Sequence, residues 1–227
     1  AFSTDLMKRA LFIGIAGPSG SGKSSVCKAL VDSDKSLELV GEDAGCFVSG
    51  SVNTSYDERD SDTELPSNVR WDRVQSQIDL ARERGGAVVF DHFLLPFLPR
   101  IGERLDLLVV LDAAETVGGG ELQRRACFFR ERRVQRRTRS EQESQDLSRY
   151  YDTAVWPTYS TITRPALKNL IRFMHDRSDG VFIFIDPLEH NLNVVITKVK
   201  RFIANNRNVL LNKHGPVSVD IQPSVHS

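Results

Sequence analysis

The sequence is poor in cysteine, carries no excess of either charge and has no long apolar run, and each shortage excludes a class of protein. Its three cysteines, Cys27, Cys46 and Cys127, lie far apart and are odd in number. That argues against a disulfide framework or a C-x-x-C metal site, and the cytosol is the compartment expected. Lysine plus arginine, 30, balance aspartate plus glutamate, 30, so no global field draws in nucleic acid or an anionic membrane. No stretch approaches the roughly 18 apolar residues of a membrane span. The opening AFSTDLMKRA also lacks the apolar core of a secretory signal.

What is present begins with GPSGSGKS, residues 17–24, directly after the apolar run LFIGIA. Gly17, Gly22, Lys23 and Ser24 fit the phosphate-binding pattern G-x-x-x-x-G-K-[ST]. Glycines let the backbone curl until several N–H groups point at one anion, and the helix that follows adds the positive end of its dipole. ATP is the expected ligand, cradled by Gly17, Ser19, Gly20, Ser21, Gly22, Lys23, Ser24 and Ser25. Lys23 would reach the β- and γ-phosphates, and Ser24 would offer its hydroxyl to Mg²⁺.

Short apolar runs recur along the chain at 11–16, 37–40, 87–90, 107–111 and 181–185. Helical patterns separate them, at 22–31, 68–84, somewhere within 121–139, 146–173 and 188–203. This alternation predicts an α/β protein with a five-stranded parallel sheet flanked by helices, the P-loop NTPase fold. A single domain over residues 1–204 is expected, with a lid at about 124–145 and a flexible tail over 205–227.

In such sheets ligands lie at the carboxyl ends of the strands, which selects the loops GEDAGCF, DHFLLP and DAAET. Phosphoryl transfer needs positioning, cations and often a carboxylate to take the acceptor's proton. Asp43 is the candidate base and a candidate metal contact, with Glu42 as fallback. Asp91, directly after an apolar strand, is a second carboxylate for Mg²⁺, or else a helix cap. Between Arg124 and Arg139 stand eight arginines against one acid, Glu131. Such a run is expected to stay out of the core. It reads as a mobile lid over ATP, a solvated basic helix or a nucleic-acid patch, and the phosphate loop favours the lid. His92 and the cysteines are assigned to packing.

Four stretches, GIAGPSGSGKSS, GEDAGCF, RWDRV and RYYDTAVWPTY, resemble the uridine kinase and phosphoribulokinase group of P-loop kinases, and within it the nicotinamide riboside kinases. The likeness runs from about Leu11 to Ile203. It implies Asp43 as proton acceptor, Trp71 as the platform under the base and Asp72 on the ribose hydroxyls. The lid pattern fits RRVQR, giving Arg132 and Arg136 for ATP and Arg133 for substrate. There are two departures. Asp91-His92 stands where that pattern has Glu-Gly, and AGCF follows the catalytic Asp with one residue more than the pattern.

The implied activity is ATP- and Mg²⁺-dependent phosphorylation of a small nucleoside, nicotinamide riboside, in a protein with no membrane or nucleic-acid partner. Its pyridinium cation would gain about 0.5 to 2 kcal/mol over a Trp face. Uridine, cytidine, glycerate, pantothenate or a sugar phosphate are alternative acceptors. A lapsed regulatory or RNA-associated nucleotide binder is the alternative of another class.

Overall fold

The computed structural model describes residues 11–41, 64–84, 87–113, 118–138, 140–177 and 180–213, the last six by backbone alone. The chain runs β1 (Phe12–Ala16), α1 (Lys23–Ser33), β2 (Leu37–Val40), α2 (Trp71–Glu83), β3 (Ala87–Asp91), α3 (Ile101–Arg104) and β4 (Leu107–Val110). It continues through α4 (Gly119–Arg137), α5 (Glu141–Tyr150), α6 (Trp156–Thr158), α7 (Arg164–Asp176), β5 (Val181–Phe184) and α8 (Leu192–Lys213). Among the described residues the five strands form one sheet, all pairs parallel, in the order β2-β3-β1-β4-β5. β1 is central, and its connection leaves in the opposite direction from those of β3 and β4, so the loop after β1 opens at a switch point of the sheet.

Strand alternation divides the core into two layers. Phe12 and Ala16 of β1 join Val88, Phe90, Leu108 and Val110 on one face, under Val74 and Ile78 of α2 and Leu167, Leu170 and Met174 of α7. Ile13 and Ile15 join Val89, Leu107 and Val109 on the other, under Val26, Cys27 and Leu30 of α1 and Val195, Val199 and Ile203 of α8. With both faces covered, the central strands β1, β3 and β4 read as apolar runs rather than alternating ones, which is why they were legible, whereas the edge strand β2 carries Glu38 and exposes Leu39.

Two elements depart from expectation. The helical pattern expected at 146–173 is longer, and residues 141–176 stay helical throughout, with π-helical turns at Tyr151–Val155 and Tyr159–Thr163. Pro157 lacks the N–H that would bond one turn back, and the wider turns absorb that loss. The last helix, expected to stop near 203, continues to Lys213. Arg207 holds it there, donating from Nη1 to Asp34 Oδ2 at 2.6 Å and from Nη2 to Ser36 Oγ at 2.8 Å. No helix among the described residues is long and apolar enough to cross a membrane.

Candidate active site

The phosphate loop joins β1 to α1 and takes its shape from its glycines. Gly20 has φ +90°, a conformation L residues rarely adopt, and a Cβ there would meet the Phe129 carbonyl oxygen at 2.2 Å. A Cβ on Gly17 would meet the Leu111 carbonyl oxygen at 2.7 Å. The loop is thus wedged between the end of β4 and α4. Lys23 is buried and folds back along the loop, Nζ donating to the carbonyls of Gly17 at 3.0 Å and Pro18 at 3.1 Å. Ser21 is buried, Ser19 and Ser25 are half-buried, and Ser24 is exposed in the first turn of α1.

One face of α4 covers this loop. Arg133 Nη1 donates to Ser19 Oγ at 2.7 Å, Arg136 Nη1 reaches Ser25 Oγ at 3.5 Å, and Tyr151 Oη donates to the Ser19 carbonyl at 3.1 Å. Arg132 sits 5.3 Å over the Phe128 ring, and its guanidinium lies 3.8 Å from where a Cβ on Gly22 would be. Burial, and then the neighbouring Arg136 charge, lowers the Arg132 pKa. Phe129 and Tyr151 anchor an aromatic cluster beneath, with Trp156 partly buried against them. The structure therefore gathers the loop residues with Arg132, Arg133 and Arg136. It also corrects the expectation that the arginine run stays out of the core, since Arg125 and Arg133 are buried. Each has acceptors to receive it: Asp112 and Asp186 for Arg125, Ser19 for Arg133.

Asp91 ends β3 and is paired in register with Ile15 on β1, one strand from the phosphate loop. It is buried, and its charge is felt at both His92 and Cys27, as is that of Lys23. Burial drives the His92 pKa down to about 3, so the imidazole is neutral. Its Nδ1 accepts the Leu94 N–H at 3.0 Å. Burial likewise raises the Cys27 thiol, which is inert.

Trp71 and Asp72, expected on the acceptor side, come from a different part of the sheet edge. Trp71 opens α2, half-buried, its Nε1 donating to the Pro66 carbonyl at 3.0 Å and its ring 5.5 Å from that of His92. Asp72 follows, exposed. Glu64 is buried and accepts the Tyr150 hydroxyl at 2.7 Å. Asp43 and Glu42, the candidate bases, lie outside the described residues, as do Cys46 and Arg139.

Sequence reasoning singled out Asp91 but passed over Asp112, which also follows an apolar strand but lies three residues beyond the level of Asp91, since Asp91 and Val109 both pair with Ile15. Asp112 is almost fully buried and accepts from Arg125, Arg164 and Tyr159. The signal was available: an acid directly after the apolar run LLVVL has the same pattern as Asp91 after AVVF. Tyr151 entered the sequence reading only within the stretch RYYDTAVWPTY, and its bond to the Ser19 carbonyl joins residues 132 positions apart.

No curated protein matches the sequence. Solved structures similar to the chain include a gluconokinase from Sinorhizobium meliloti 1021, 16% identical, covering 91% of this chain and 99% of that one with a TM-score of 0.51. They also include a sugar kinase from Janibacter sp. HTCC2649, 14% identical, covering 86% and 95% with a TM-score of 0.49. At such identities the first likeness is one of fold, the kinase-like P-loop fold. A family model described as AAA domain matches residues 13–144. It is broader than the nicotinamide riboside kinase group. The matched span begins in β1 and ends in α5, taking in the phosphate loop, both strand-end carboxylates and the arginine helix. Because the match spans more than half of the sequence, the chain belongs to this AAA-domain family of P-loop proteins.

Proposed function

We propose that the chain is an ATP-dependent kinase that phosphorylates an alcohol group of a small molecule, with the 5′-hydroxyl of nicotinamide riboside as acceptor. The observation that carries the kinase reading is the face of α4 laid over the phosphate loop, with Arg133 on Ser19, Arg136 beside Ser25 and Phe129 against Gly20. A bare loop would serve any nucleotide binder. Arginines held above it supply fixed positive charge where a transferring phosphoryl group spreads its own, at no cost of reorganisation.

In this reading Lys23 leaves the Gly17 and Pro18 carbonyls to meet the terminal phosphates, and the loop amides hold the rest of the tail. Among the described residues no cluster of three or more His, Cys, Asp or Glu could hold a metal. Mg²⁺ needs none, because it binds through phosphate oxygens and one or two hard protein ligands. Ser24 and Asp91, oxygen donors flanking the loop, suit it. When bound, it neutralises charge on the phosphates. Asp43 is the proposed base, with Glu42 in reserve. Asp43→Asn should cut turnover by orders of magnitude while MgATP still binds, and unchanged turnover would remove Asp43 from the mechanism.

Support for nicotinamide riboside comes from Trp71, whose indole is oriented by its bond to Pro66, and from Asp72 beside it. A face so placed favours a cationic pyridinium over a neutral base. A second reading, a sugar or sugar-acid acceptor such as the gluconokinase name implies for that protein, is favoured by His92. Its buried ring fills space where the nicotinamide riboside kinase pattern has a glycine.

An ADP-release assay across nicotinamide riboside, uridine, cytidine, glycerate and gluconate decides between them. Nicotinamide riboside should give the highest kcat/KM, and about a tenfold preference for another acceptor reassigns the substrate. MgATP binding with no ADP formed from any acceptor would point to a lapsed regulatory or RNA-associated binder.

A further inference from the structure

Asp112, only 3% exposed, receives four donors just past β4. They are the Ala113 N–H at 2.8 Å, Tyr159 Oη at 2.7 Å, Arg164 Nε at 3.0 Å and Arg125 Nη1 at 3.3 Å. Arg125, also 3% exposed, donates in addition to Asp186 just past β5, from Nη1 at 3.1 Å and from Nη2. Burial works to raise the Asp186 pKa, but these bonds and the Arg125 charge hold it below the usual carboxylate range. Two carboxylates and two guanidiniums thus tie the ends of β4 and β5 to α4 and α7.

The location of this knot gives it a role. The residue before Asp112 is Leu111, whose carbonyl closes on Gly17 of the phosphate loop. Arg125 lies near the start of α4, and the residues at helical spacing after it, Phe129, Arg132, Arg133 and Arg136, are those that meet Gly20, Gly22, Ser19 and Ser25. A helix turns about 100° and rises about 1.5 Å per residue, so a slip of one residue at Arg125 would swing all of them off the loop. As a source of stability the arrangement is poor, since buried ion pairs can often be exchanged for apolar groups without loss. Fixing a register is the role such pairs are best known to fill.

We propose that the Asp112–Arg125 pair is the pin that sets the rotation and height of α4 over the phosphate loop, making Asp112 and Arg125 positioning residues for the arginines above them. The functional consequence rests on the reading that the loop takes a triphosphate.

The test compares wild type with Asp112→Asn and Tyr159→Phe, the second removing one of the four donors and nothing else. Amide hydrogen exchange in Asp112→Asn should be about tenfold faster across α4 and the phosphate loop, with β1 and β3 unchanged. MgATP affinity measured by calorimetry should fall about tenfold. Tyr159→Phe should show the same pattern at about threefold, with its melting temperature nearly preserved, and it decides the matter alone if Asp112→Asn does not fold. Unchanged exchange in α4, or equal acceleration in every element, would overturn the pin. A wild-type protein that takes up no MgATP would sink the triphosphate reading, while the exchange pattern still judges the pin.

Discussion

The phosphate loop and the region around Trp71, the proposed acceptor side, are built by different means. Around the phosphate loop nearly every contact is directed: a backbone held at positive φ, a lysine on two carbonyls, an arginine on a serine, a tyrosine on a main-chain oxygen. Among the described residues around Trp71 there is mostly ring packing, with His92 neutral beside it, Phe93 stacked 5.1 Å from His92 and the exposed acid Asp72 next in the chain. A phosphate presents the same geometry to every kinase, so its site can be made of backbone and fixed charge. On the proposed reading the acceptor differs from one enzyme to the next, and the side chains that would meet it here, Trp71 and its neighbour His92, are packed on the core beside β3.

That contrast can be broken in order of effect. Lys23→Met should lower kcat about a thousandfold, because no other ammonium stands in the loop, while the acceptor's KM stays within about twofold. Steady-state kinetics with both substrates varied checks it, and a loss shared equally with the acceptor's KM would erase the division between the two sides.

Arg133→Met should cost about a hundredfold in kcat, since Arg133 meets the loop directly through Ser19. Arg137→Met, a change at an exposed residue of the same helix, should cost almost nothing. Equal losses would show that the charge of the helix matters and its facing does not.

Trp71→Leu should raise the acceptor's KM about tenfold and leave that of ATP unchanged, a loss in line with the upper range for a desolvated cation over an indole. A rise of the same size with uridine would assign the effect to stacking rather than to charge.

A test of stability rather than of kinetics concerns the His92 packing. In the folded state burial keeps its pKa near 3, whereas the unfolded chain takes up a proton below about 6.5. The unfolded state therefore binds more protons as pH falls, and stability is lost from about 6.5 downward by at most about 1.4 kcal/mol per pH unit. Denaturant unfolding of wild type and His92→Gln between pH 7.5 and 4.5 should give curves that diverge by that slope. Parallel curves would show that His92 is not held neutral.

Much of this was legible in the sequence, for reasons that can be named. The three central strands were visible because helices cover both faces of the sheet, so LFIGIA, AVVF and LLVVL run apolar without interruption. GPSGSGKS was visible because anion cradles need glycine at set places. Less legible was the fate of the arginines. RRVQR names Arg132, Arg133 and Arg136, yet nothing local to that stretch shows that Arg125, one of eight in the run, is buried. Its burial depends on Asp112 and Asp186, which lie 13 and 61 residues away along the chain.

The sequence by itself determined the phosphate cradle, the order of strands and helices along the chain and the presence of a basic helix, because each follows from short-range spacing and from the φ values that glycine alone takes readily. Only the tertiary structure decided which face of that helix meets the loop. Helix phase is set by partners brought together through the sheet, and a carboxylate at the end of one strand can select among eight arginines only once the strands have paired.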